Sequence, residues 1–103
     1  MAGKSKISRA CDISPSVRRT VLERDGGRSI LSGSDKNIQI AHYIPRGRLG
    51  LGIPENLVCL TEREHYEYDN GKYHREIKKA IEDYLRQHYP DWDGIQKTYS
   101  KWR

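Results

Sequence analysis

With 103 residues, 35% of them hydrophobic, the chain has room for one small domain with a thin core; this excludes a multidomain organisation and makes a metal, a partner or a long docking helix a natural supplement. The formal charge of +5 points to a polyanionic partner, most simply nucleic acid, although many soluble proteins share such a charge and bind none. No apolar run approaches the roughly 18 residues of a membrane span, the basic start MAGKSKISRACD is not a secretory signal, and two cysteines, Cys11 and Cys59, are too few for a disulfide framework and suit a reducing cytoplasm.

In chain order, residues 1–12 read as a flexible basic arm, 13–90 as a single domain and 91–103 as a basic tail with spaced aromatics. Ser14-Pro15 marks a helix start, Ser14 as N-cap and Pro15 in the first turn, and Gly26-Gly27 ends the helix. Gly33-Ser34-Asp35 is turn chemistry between two apolar runs, Ile30-Leu31 and Ile38 to Ile44. In the second run Ile38, Ile40, His42 and Ile44 share one strand face, and Gln39, Ala41 and Tyr43 share the other. Pro45 ends this strand, and RGRLGLGIPE, broken by glycines and carrying Arg46 and Arg48, reads as a loop outside the core. Asn56-Leu57-Val58-Cys59-Leu60 reads as a short buried strand or an extended turn. Thr61 with Glu64 three residues on makes a capping box for a helix that ends at Asn70-Gly71. A last amphipathic helix runs from Tyr73 to Tyr89, with Tyr73, Ile77, Ala80, Ile81, Tyr84, Leu85 and His88 on one stripe, and Pro90 stops it.

This arrangement sets His42 at a strand end and His65 and Asp69 one turn apart on the helix that follows. Phosphodiester hydrolysis needs an activated water, charge neutralisation on the phosphoryl group and help for the leaving oxygen. A divalent cation between helix and hairpin could take an imidazole nitrogen from His65 and a carboxylate oxygen from Asp69. His42, with an unperturbed pKa near neutrality, could serve as general base. The side-chain amide of Asn56 could hold the strand end and so aim His42. Each part has a plainer reading: a lone strand histidine is usually a satisfied structural residue, an i, i+4 His/Asp pair is usually a surface pair, and Asn before an apolar run is usually a turn residue.

Taken together, His42, Asn56 and His65 resemble the three signature positions of the HNH endonucleases, in order and in spacing. The flanking text strengthens the likeness: Arg-Asp-Gly-Gly at 24–27, AHYIPRG, the glycine-rich loop, ENLVCL and HYEYDNG, over roughly residues 16 to 71, with the phage and prophage nucleases most similar. The resemblance implies an α+β fold: a small ββα-metal motif flanked by an N-terminal helix and a long C-terminal amphipathic helix. It implies His42 as general base, Asn56 as the residue that orients it, and His65 and Asp69 as metal ligands. It also suggests a terminase subunit as a phage partner.

Two departures from the family pattern matter. Where many relatives carry two C-x-x-C pairs for structural zinc, this chain has Ser29, Ser32, Thr61 and Glu64, so no structural zinc is expected, and hydrogen bonds among these four side chains could hold the corner instead. Ala41 stands where many relatives have a further ligand, so two protein ligands would leave the rest of the shell to water and DNA phosphate. That suits Mg²⁺ or Mn²⁺, while Ni²⁺, Co²⁺ or Zn²⁺ also accept imidazole. DNA is the expected partner, contacted at phosphates by Arg46, Arg48, Arg18, Arg19 and Arg28, with Arg24, Lys4, Lys6, Arg9, Lys97, Lys101 and Arg103 adding charge. No recognition helix is visible, so the expected activity is nicking of duplex DNA with low sequence specificity. The alternative is a DNA-binding module that keeps the fold without cutting.

Overall fold

Ser14 starts the first long helix as its sequence requires. Its backbone is extended, its Oγ accepts from the Val17 amide at 3.2 Å, and Pro15 occupies the first turn of helix α2, Pro15–Asp25. Gly26 closes α2 in the left-handed region at φ +69°, and the Gly27 amide reaches back to the Leu22 carbonyl at 2.9 Å. The computed structural model describes residues 6–94. Within that range the segment read as a flexible arm is a helix, α1, at Lys6–Cys11, with Cys11 buried. Six residues carry too little periodicity to be legible and too few hydrogen bonds to stand alone. Helix α1 is held from outside: the Gly52 amide donates to the Ala10 carbonyl at 2.9 Å. A Cβ at Gly52 would lie 2.0 Å from the Asp12 carbonyl oxygen, so only glycine permits this approach.

Strand β1, Ile38–His42, pairs antiparallel with β2, Leu57–Thr61, placing Ile40 opposite Cys59 and His42 opposite Leu57. Residues Ile30 and Leu31 form no strand; Ile30 contributes a single backbone bond to the Cys59 carbonyl at 3.0 Å. β1 stops at His42 rather than Ile44 because a side chain takes over the ladder there. The Ile44 amide bonds Asn56 Oδ1 at 2.9 Å, and the Tyr43 amide bonds the Asn56 carbonyl at 2.7 Å.

Both faces of the hairpin are covered. On one, Ala41, Tyr43, Val58 and Leu60 pack with Tyr68, Ile81, Leu85 and Trp92; on the other, Ile40, Leu57 and Cys59 pack with Val21 of α2. This two-sided burial explains the unbroken apolar text of β2. The capping box at Thr61 is complete: the Glu64 amide donates to Thr61 Oγ1 at 3.1 Å and the Thr61 amide to Glu64 Oε1 at 2.8 Å, opening helix α3, Glu62–Asn70. Helix α4, His74–His88, buries Ile81 and Leu85 and half-buries Ile77, Ala80 and Tyr84; Tyr73, which precedes the helix, and His88 in its last turn stay exposed rather than joining the stripe. The segment read as a tail begins as core. Trp92 is buried, meets the Tyr43 ring edge-on at 5.2 Å, and donates from Nε1 to the Glu55 carbonyl at 2.7 Å. Residues 95–103, with Lys97, Lys101 and Arg103, lie outside the described residues, as does Lys4.

Arg24 is not a surface cation. It lies at the end of α2 with its side chain 9% exposed and forms a two-pronged pair with Asp25, whose side chain is fully buried. The same guanidinium donates to the carbonyls of Pro54 at 2.8 Å and Leu57 at 2.5 Å, and to the Tyr89 hydroxyl at 3.2 Å. Asp25 in turn accepts from the Cys59 amide at 2.8 Å and from the Tyr84 hydroxyl. Burial alone would push the Asp25 carboxyl up; the guanidinium, the phenol and the amide outweigh it and hold it below the usual range. Burial beside Asp25 also pushes the Cys59 thiol up to about 12, so it stays protonated and unreactive.

Ser29, Ser32, Thr61 and Glu64 also meet. Ser29 Oγ donates to Glu64 Oε1 at 2.5 Å, the Thr61 amide shares that oxygen, and Ser32 hydrogen-bonds the same carboxylate.

Replacing Asp25 by Ala strands the buried Arg24 charge and should cost about 3–5 kcal/mol. The measurement is the urea midpoint of Asp25→Ala against the parent; a change below about 1 kcal/mol would show that the pair does not organise the fold.

Candidate active site

His42 is the last residue of β1, half-buried, and its Nε2 lies 2.9 Å from the Cys11 carbonyl oxygen at the end of α1. A carbonyl only accepts, so Nε2 carries the proton and the neutral ring keeps its lone pair on Nδ1. Burial lowers the pKa of His42 below 6.5, and Arg46 and His65 add to this; the Cys11 carbonyl and Asp69 oppose it without cancelling it. At neutral pH the ring is therefore uncharged and able to accept a proton.

Asn56 is fully buried in the short 3-10 turn Pro54–Asn56 that leads into β2. Besides receiving the Ile44 amide, it donates from Nδ2 to the carbonyls of Leu51 at 2.9 Å and Ile44 at 3.2 Å. One side chain thus ties both limbs of the glycine-rich loop immediately beyond His42. Gly50 lies within this clamp, where a Cβ would sit 1.6 Å from the Ile44 carbonyl oxygen.

His65 and Asp69 stand one turn apart on α3, with His65 Nε2 3.3 Å from Asp69 Oδ2. His65 Nδ1 is 2.8 Å from Gln39 Oε1 of β1; donation to that oxygen puts the proton on Nδ1 and leaves the Nε2 lone pair beside the carboxylate. A lone pair and a carboxylate oxygen facing each other need a cation or a proton between them. Neighbouring ligands on an octahedral ion with bonds of about 2.1 Å are roughly 3.0 Å apart, close to the separation found, so the donor set fits a small divalent cation. Among the described residues no group of three or more His, Cys, Asp or Glu side chains could hold a metal, so the protein offers a pair of donors and not a closed cage. The charges of both His65 and Asp69 are felt at His42, which puts the pair within electrostatic reach of the imidazole.

The arginines divide. Arg46 and Arg48 flank the 3-10 turn Arg46–Arg48 after β1. Arg46 influences His42 and is paired with Asp12 at 2.7 Å, whereas Arg48 acts on Tyr68 on the opposite side of the strand end. Arg18 and Arg19 lie exposed on α2, and Arg28 braces the Gly33 carbonyl at 3.0 Å; none of the three contacts His42, His65 or Asp69 among the described residues. Three participants escaped the sequence reading: the Cys11 carbonyl, Asp12 and Gln39. A main-chain oxygen has no residue signature, and Asp12 lies in a stretch whose helix is invisible to periodicity. Gln39 was placed on a strand face, but a side chain bridging to a helix partner leaves no local pattern.

No protein-family model matches the chain, and no curated protein matches it significantly in sequence. Among solved structures, the chain is similar to the type IV phosphorothioation-dependent restriction endonuclease ScoMcrA, with a TM-score of 0.61 over 73% of this chain at 19% identity. The likeness is one of fold, and the chain spans 19% of the length of that protein.

Asp12 occupies the guanidinium of Arg46 as a phosphate would. Asp12→Asn should therefore raise DNA affinity about two- to threefold at low salt, read by fluorescence anisotropy; unchanged or weaker binding would show that Arg46 does not meet DNA.

Proposed function

We propose that this chain is a divalent-metal-dependent HNH endonuclease that hydrolyses phosphodiester bonds in DNA and nicks duplex DNA with low sequence specificity. The observation that carries the reading is the hydrogen bond of His42: its Nε2–H donates to the Cys11 carbonyl, which leaves Nδ1 free to accept a proton, and the ring feels the charges of the donor pair His65 and Asp69. The fold likeness to a restriction endonuclease and the +5 charge support it.

In the proposed reaction His42 Nδ1 takes a proton from the attacking water. The water oxygen forms a bond to phosphorus as the bond from phosphorus to the 3′ oxygen breaks; the departing 3′ oxygen takes a proton from solvent, leaving a 5′-phosphate and a 3′-hydroxyl. Asn56 keeps the strand end, and so the imidazole, in place through its three backbone bonds. Arg46 supplies positive charge to the phosphate oxygens once it exchanges Asp12 for DNA. A cation held by His65 Nε2 and Asp69 would neutralise the phosphoryl charge and assist the leaving oxygen, with Mg²⁺ or Mn²⁺ best suited to so few protein donors and Ni²⁺, Co²⁺ or Zn²⁺ compatible with the imidazole. The terminase subunit suggested by the resemblance is not needed for any of these steps.

A second reading, a DNA-binding module that does not cut, is favoured by one observation: among the described residues only a pair of donors is present, with Ala41 contributing none. Incubating supercoiled plasmid with the protein and Mg²⁺, Mn²⁺ or Ni²⁺ decides between them. Conversion to open circles that falls at least about 100-fold in His42→Ala supports the enzyme; binding without conversion under every metal supports the module. Because the base must be neutral, the nicking rate should hold through pH 7 and fall only below pH 6.5, as the lowered pKa of His42 is crossed from above. An acid limb above 7 would argue against His42 as base. In calorimetric titration with Mn²⁺, His65→Ala and Asp69→Ala should each weaken binding about tenfold or more. Unchanged binding in both would show that the ligands lie elsewhere.

A further inference from the structure

Three exposed cations of the described surface have carboxylate partners. Arg46 is paired with Asp12, and Lys79 and Arg86 with Asp83. Arg48 and Lys78 form no ion pair with a described carboxylate, and both line one partly open cavity of about 330 Å³ beside the strand end. They reach it from different elements, Arg48 from the 3-10 turn after β1 and Lys78 from the second turn of α4. No carboxylate lines the cavity. Glu82, one turn beyond Lys78, is engaged by the Tyr43 hydroxyl at 2.5 Å. Two further groups of the walls are occupied: the Tyr68 hydroxyl donates to the Tyr43 carbonyl at 2.6 Å, and His74 stacks on the Tyr68 ring with its Nδ1 2.5 Å from the Tyr68 carbonyl. What remains is a concave surface with two cations free of carboxylates at its edge, Lys78 lying over the Tyr43 ring at 5.9 Å, and an apolar wall at Ile44 and Pro45.

Such a cavity fits an anion, and its position selects one. The single turn that sends Arg46 to the His42 side sends Arg48 into the cavity, so a chain of phosphates crossing the turn meets one arginine and then the other. We infer that the cavity holds a backbone phosphate of the DNA strand adjacent to the phosphate being cleaved, gripped between Arg48 and Lys78, with the deoxyribose against Ile44 and Pro45. This assigns a DNA-contacting role to Lys78 in α4, an element outside the HNH motif, and it rests on the DNA reading proposed above.

The test measures binding with cleavage switched off. Duplex oligonucleotide binding is followed by anisotropy in EDTA across a salt series. Lys78→Ala should weaken binding about fivefold and reduce the slope of log affinity against log salt by about one, the effect of one lost phosphate contact. Lys78→Arg should restore both. Lys79→Ala, whose ammonium is already held by Asp83 at 2.7 Å, should change neither. Replacing single phosphates by neutral methylphosphonates should reveal one position that weakens binding to the parent but not to Lys78→Ala. Unaltered affinity and slope in Lys78→Ala, a methylphosphonate profile that is the same for both proteins, or a cavity that responds to inorganic phosphate while DNA binding ignores Lys78 would each overturn the assignment. A protein that binds as described yet never nicks keeps the cavity and loses the nuclease. One that nicks with Lys78→Ala binding unchanged keeps the nuclease and loses the cavity.

Discussion

The pairing of Arg24 with Asp25 organises the rest of the molecule. Two consecutive residues at the end of α2 satisfy main-chain groups of the Pro54–Asn56 turn and of β2, and hold Tyr84 of α4 and Tyr89 just beyond it. A buried pair of this kind gives little net stability compared with a well-packed apolar substitute, because both charges lose their water. Its contribution is directional: five donors in a planar fork and four lone pairs can be satisfied in few ways, and each way fixes a backbone. The turn it fixes carries Asn56, Asn56 fixes the end of β1, and the end of β1 carries His42. The candidate base is thus positioned by a chain of hydrogen bonds that begins at the end of α2, in a domain too small to do this by apolar packing alone.

The elements with strong local punctuation were legible in the sequence. Ser14-Pro15, Gly26-Gly27 and Thr61 with Glu64 each announce a helix terminus through groups that bond within a turn of chain. The alternation in Ile38–His42 and the apolar run at Leu57–Leu60 announce strands. The pairing of His65 with Asp69 follows from helical geometry alone. What escaped were contacts between residues distant in sequence: the docking of α1 on Gly52, the return of Trp92 to the core, and the withdrawal of Arg24 from the surface. Composition counts Arg24 with the other arginines. Only the buried Asp25 beside it, and the carbonyls brought to it by folding, make it a structural residue. The same limit applies to the site, where the imidazole was visible and the carbonyl that sets its tautomer was not.

The distribution of charge gives the surface its meaning. A net charge of +5 says nothing about which cations are available. In the folded chain, Arg24, Arg46, Lys79 and Arg86 are balanced by neighbours, and Arg28 is turned onto a carbonyl. A polyanion approaching the strand end meets Arg48 and Lys78 free of carboxylates and competes with Asp12 for Arg46. Affinity should therefore grow stepwise as contacts are made, with the cation nearest the base the last to be recruited.

The corner of Ser29, Ser32, Thr61 and Glu64 has its own consequence for where the protein can work. Its single ionisable member is a carboxylate that burial would raise but that the hydroxyls and the Thr61 amide hold below its ordinary value of 4.5. Such a group adds to stability fully above that ordinary value and withdraws its help as acidity increases through the lower, folded-state value. A corner built on thiolates and zinc comes apart under chelation and oxidation. Here the fastening among the described side chains is made of hydroxyls, an amide and one carboxylate, so its contribution weakens only as the pH falls below the ordinary carboxylate value of 4.5.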